Sequence, residues 1–89
     1  MVTAIILINA ERTHINAAAE MLAEMNGISE VYSVSGNYDL IAIVRVRSND
    51  ELSELVTHKM KAIEGITRTE SMLAFRAYSR HDLDAMFSL

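Results

Sequence analysis

The chain has 89 residues, 51% of them hydrophobic, and a formal net charge of −4 at pH 7. That length makes a single domain, residues 1–89. The acidic balance, with Lys and Arg scattered along the chain, excludes direct nucleic-acid binding, which needs a basic surface.

There is no cysteine, as in proteins of a reducing cytosol. The most apolar N-terminal run, VTAIILI (2–8), is too short for a membrane span and lacks the charged leader of a signal peptide. A cytoplasmic protein with no membrane partner is expected. The apolar content is high for a chain so small, which points to association with other chains.

TAIILI (3–8) is a β-branched apolar run and reads as a strand. Residues 14–25 have helical spacing, with Ile15, Ala18, Leu22 and Met25 on one stripe and Asn16, Glu20 and Glu24 opposite. Thr13 is the expected N-cap, and Gly27 falls where a left-handed C-terminal residue belongs. ISEVYSVS (28–35) and DLIAIVRV (39–46) read as a second and third strand joined by a tight hairpin at Gly36-Asn37. Ser48 and Glu51 form a capping box opening a helix with Leu52, Leu55, Val56 and Ile63 inward. Gly65 closes it. ITRTESMLAFRAY (66–78) reads as a fourth strand, and SRHDLDAMF (79–87) as a short final helix.

The order β-α-β-β-α-β, with MNGISE and IEGITR entering strands in the same way, predicts an α+β, ferredoxin-like fold with a four-stranded antiparallel sheet. The first and third runs are apolar on both faces and are expected at the centre, with the more polar second and fourth at the edges. Right-handed crossovers put both helices on one face. The other face would expose Ile, Leu and Val, which predicts a dimer associating through the sheet face in the manner of dimeric α/β barrels.

No catalytic constellation is present. His14, His58 and His81 lack metal-ligand spacing, no glycine-rich phosphate loop occurs, and the six methionines read as packing. No cofactor, metal or enzymatic activity is expected. SGNYD (35–39) stands apart, because Gly36 and Asn37 suffice for a turn while Tyr38 and Asp39 are surplus to it. Loop amides could take a carboxylate and Asp39 an ammonium, which together recognise an α-amino acid. The chemistry alone favours the plainer reading, since such polar hairpins are common: Asp39 bonds its own turn and Tyr38 packs on a helix end. Thr67, Thr69 and Ser71 by themselves are ordinary edge-strand residues.

VYSVSGNYDLIAIVRV, then a helix, then IEGITRTESMLAF resembles the effector-binding (RAM) domain of Lrp/AsnC transcriptional regulators over nearly the whole chain. The most specific parts are Gly36 to Asp39 and Thr69 to Ser71. The resemblance implies an amino-acid effector bound between subunits. Gly36 and Asn37 would offer backbone donors, Tyr38 would pack on the ligand, and Asp39 would meet its ammonium. Thr69 and Ser71 would come from a neighbouring subunit. It also implies homodimers assembling into octamers or decamers. Because the sequence begins at the first strand, without the family's DNA-binding domain, it looks like a stand-alone effector module that co-assembles with full-length Lrp/AsnC regulators. The alternatives are a small dimeric α+β barrel enzyme, of monooxygenase or isomerase type, and a purely structural assembly partner. An ACT-type amino-acid domain shares the fold, but SGNYD and TES argue against it.

Overall fold

The structure, a computed structural model, describes residues 1–78 and 80. Strand β1 is Val2–Ala10, β2 Ile28–Ser33, β3 Leu40–Val46 and β4 Ile66–Leu73. Helix α1 is Ile15–Glu24 and α2 is Asn49–Glu54. The strands form one antiparallel sheet in the order β2-β3-β1-β4, so the two apolar runs are central and the polar ones are at the edges. The ferredoxin-like α+β arrangement is the one the sequence implies.

Period-two alternation places Ala4, Ile6 and Ile8 of β1 and Leu40, Ala42 and Val44 of β3 on one face, fully buried. Ala18 and Leu22 from α1, with Leu55, Met60 and Ile63 from the second helical segment, close over that face and complete the core. Each such large aliphatic contributes about 1.5–3 kcal/mol by leaving water.

Three local expectations are corrected. His14, not Thr13, precedes α1, and no side chain caps it; Arg12–His14 forms a 3₁₀ turn, and the Thr13 hydroxyl lies 3.2 Å from His14 Nδ1. The second helix does not run regularly to Gly65. It opens as expected, with Ser48 Oγ accepting the Glu51 N–H at 3.2 Å, but after Glu54 it widens to a π turn at Leu55–Lys59. There the Met60 N–H reaches the Leu55 carbonyl at 2.8 Å, and the Thr57 hydroxyl donates to the Ser53 carbonyl at 2.6 Å. This side-chain competition for a helical carbonyl accompanies the widened ladder. The wide turn also points Met60 into the core. Finally, β4 stops at Leu73 rather than Tyr78, and all but Arg80 of the helix expected over 79–87 lies outside the described residues.

The methionines divide. Met60 is buried and Met25 packs against the core, whereas Met1, Met21 and Met72 are exposed.

On the sheet face away from the helices, Ile43 sits between Ile5 and Glu30, and Ile41 between Leu7 and Tyr32. Those four aliphatics are only half-buried, while Tyr32 is 49% and Met72 45% exposed beside them. The rim carries charge: Glu30 accepts the Tyr32 hydroxyl and lies 3.8 Å from Arg45.

Candidate functional site at the β2–β3 loop

The connection between β2 and β3 is residues 34–39, wider than the tight turn expected at Gly36-Asn37. It is closed by the Val34 N–H donating to the Asp39 carbonyl at 3.1 Å. The Asp39 N–H donates to the Ile8 carbonyl at 2.9 Å, which continues the β1–β3 ladder into the loop. Two further bonds tie the loop to the end of β1. Ala10 donates its N–H to Asp39 Oδ2 at 2.9 Å, and the Asn9 amide donates to the Asn37 carbonyl at 2.9 Å. Sequence reasoning missed Asn9 and Ala10 as anchors. The available sign was an asparagine ending an otherwise apolar strand.

Gly36 has φ +105°, a left-handed conformation that costs other residues energy, yet a β-carbon there would meet nothing within 4 Å. The backbone shape, not crowding, demands glycine, and the space in front of it is open. The N–H groups of Ser35, Gly36, Asn37 and Tyr38 donate to no acceptor among the described residues. Beside them is the Asp39 carboxylate, half-buried and fixed by Ala10. Residues 35–39 therefore carry anion-receptive donors and a carboxylate acceptor in consecutive positions.

Tyr38 donates its hydroxyl to the Glu70 carboxylate on β4. That hydrogen bond, supported by desolvation and by the negative charge of Glu70, pushes the phenol above its ordinary pKa, with Arg68 opposing. Glu70 was likewise unforeseen. Thr69 and Ser71 pair with Ile8 and Ile6, the core-facing positions of β1, and are exposed. With β1 between β4 and β3, they lie about two strand spacings, roughly 9–10 Å, from the hairpin. Within one chain, then, Thr69 and Ser71 are set apart from Gly36–Asp39. Thr69 instead lines a shallow cleft of about 310 Å³ with Thr67, Lys61, Val56 and Met60.

Residues 3–83 match the family model described as the Lrp/AsnC ligand binding domain. The chain belongs to that family. A crystal structure of a Thermus thermophilus protein is similar to this Lrp/AsnC domain at 46% identity and TM-score 0.84, covering 90% of this chain and 100% of that one. The structure of E. coli AsnC matches at 25% identity and TM-score 0.79, covering 85% of this chain and 52% of AsnC. An uncharacterised HTH-type transcriptional regulator of Pyrococcus furiosus is 33% identical over 72 residues, 81% of this chain and 49% of the relative. This Lrp/AsnC domain thus spans less than half the length of such curated relatives, which are named as transcriptional regulators. None of its described helices is long and apolar enough to cross a membrane.

Proposed function

We propose that this Lrp/AsnC domain is a cytoplasmic, non-enzymatic amino-acid-binding module that oligomerises and modulates full-length regulators of its family. One observation carries the reading: consecutive loop amides from Ser35 to Tyr38 have no protein acceptor, and the next residue, Asp39, holds its carboxylate fixed by Ala10. A free α-amino acid carries the complementary pair of charges. Its carboxylate meets the Gly36 and Asn37 amides, its ammonium meets Asp39, and Tyr38 lies against its body. Thr69 and Ser71 complete the pocket from a neighbouring subunit, in keeping with their exposure and their distance from the loop of their own chain.

Family membership supports the amino-acid class. A fold neighbour, a feast or famine regulatory protein from M. tuberculosis, is described in complex with L-methionine; at 23% identity and TM-score 0.76 its likeness shows the fold alone. The half-exposed aliphatic sheet face supports a homodimer through the sheet, the unit from which octamers or decamers are built.

The test is amide NMR during titration with amino acids, alongside analogues lacking either the amine or the carboxylate. The Gly36 and Asn37 amides shift with a whole amino acid and respond weakly to either analogue. Equal response to the amine-free analogue would reduce the loop to a general carboxylate site.

The purely structural reading calls for an Asp39 tied up in its own turn with no cavity at the subunit contact; the Asp39 carboxylate accepts from Ala10 on β1, not from its own turn.

A further inference from the structure

Another cleft lies away from the hairpin. It encloses about 560 Å³ at the opposite end of the sheet, where the last residues of β3 meet the α1–β2 turn and the second helical segment. Six residues of β3 separate the two regions, roughly 20 Å at strand rise. The floor is closely packed. The Arg45 N–H donates to the Gly27 carbonyl at 2.8 Å, and a β-carbon on Gly27 would come 2.9 Å from Val46 Cγ1, with Leu55 next to it.

Charge gathers at this cleft. Of the eight Lys and Arg residues in the chain, Arg47 and Lys59 line it together with Arg45, whose side chain turns to Glu30 on the other sheet face. These cations look scattered in sequence, but Lys59 at the end of the π segment and Arg47 just after β3 line the same cleft. Arg47 and Lys59 have no carboxylate within 4.0 Å among the described residues, and Arg45 has only the half-exposed Glu30 at 3.8 Å. The two carboxylates of the lining already hold local partners. Glu51 Oε2 accepts the Arg47 main-chain N–H at 3.0 Å, and Glu54 Oε2 lies 3.1 Å from His58 Nδ1. Asn26 adds a neutral amide.

We propose that this cleft binds a small organic phosphate, a phosphate group carried on a body of nucleotide size. The guanidinium of Arg47 and the ammonium of Lys59 take the phosphate oxygens with charge-assisted bonds. The organic body rests on Asn26 and Gly27 of the α1–β2 turn. The volume suits it, since small-molecule pockets span about 300–1,000 Å³. An inorganic anion would leave most of that volume to water, and an uncharged body would leave the cations unused. The site is independent of the amino-acid site, with which it shares no residue.

Calorimetric titration of the whole chain with AMP, adenosine and inorganic phosphate tests it. AMP binds saturably, adenosine and inorganic phosphate each bind about tenfold or more weakly, and added salt weakens AMP binding. Arg47→Glu with Lys59→Glu lowers AMP affinity by about tenfold or more while the fold, read by circular dichroism, is kept, because neither side chain holds a core contact. Asp39→Asn leaves AMP binding unchanged. Absence of saturable AMP binding, equal affinity for adenosine or inorganic phosphate, or undiminished binding in the double variant would each overturn the proposal.

Discussion

The Asp39 carboxylate accepts the main-chain N–H of Ala10 at 2.9 Å, so the end of β1 and the end of the β2–β3 loop hold each other. Asp39 therefore has two separable properties, an acceptor oxygen used by the fold and a negative charge available to a ligand. Asp39→Ala leaves the Ala10 N–H without its acceptor and costs about 1–3 kcal/mol in denaturant unfolding. Asp39→Asn keeps an acceptor oxygen and costs less, but loses the charge that meets an ammonium. If both variants were equally stable, the bond to Ala10 would not support the loop.

Gly36 and Gly65 have positive φ angles of 105° and 96° but different surroundings. A β-carbon on Gly65 would fall 2.3 Å from the β-carbon of His14, whereas one on Gly36 meets open space. Gly36→Ala costs about 1–2 kcal/mol of backbone strain. Gly65→Ala adds about 1–3 kcal/mol of overpacking, part of which His14→Gly, which removes that β-carbon, restores. Melting temperatures of the single variants and the double variant check the order.

Tyr38 is held protonated by its bond to Glu70, and its pKa is raised. The sign follows: this contribution to stability is present below the ordinary tyrosine pKa of about 10 and is lost as pH rises through the higher folded value. Glu70→Gln removes the charge that disfavours phenolate. In an absorbance titration one tyrosine then ionises at lower pH, while Tyr32, raised by Glu30, keeps its position. An unchanged profile would mean that the Tyr38–Glu70 bond does not persist in solution.

Ile43 lies on the sheet face away from the helices, between Ile5 and Glu30, whereas Leu22 is buried against the other face. Ile43→Glu is expected to leave the monomer fold intact by circular dichroism and reduce the sedimentation mass to one chain. Leu22→Ala instead costs about 2–5 kcal/mol of unfolding free energy. A single-chain mass for the unmodified protein would remove the sheet-face dimer.

Much of the fold was legible because β1 and β3 are apolar at consecutive positions, a pattern only central strands tolerate, while Gly27 and Gly65 punctuate both helix-to-strand entries. The π turn was not. It depends on the Thr57 hydroxyl and on the register needed to bury Met60, and helical periodicity cannot separate one helical ladder from the other. Thr13 satisfied a capping preference, but the 3₁₀ turn before α1 put His14 at that boundary. At the site, Gly36 and Asp39 could be picked out because a turn leaves Tyr38 and Asp39 unexplained. Asn9, Ala10 and Glu70 could not, since they meet the loop only through pairing across the sheet. Arg47 and Lys59 stayed hidden because only the fold brings the end of β3 and the π segment to one cleft.

Thermal unfolding of the purified chain against the twenty amino acids, with Asp39→Asn in parallel, bears most directly on amino-acid sensing. A ligand that binds only the folded state at about 100 times its dissociation constant adds about 2.7 kcal/mol. One or a few amino acids should raise the melting temperature of the unmodified chain, and Asp39→Asn should abolish that rise while melting near the same baseline. No rise with any amino acid, or an equal rise in Asp39→Asn, would contradict the assignment of the loop as an amino-acid receptor.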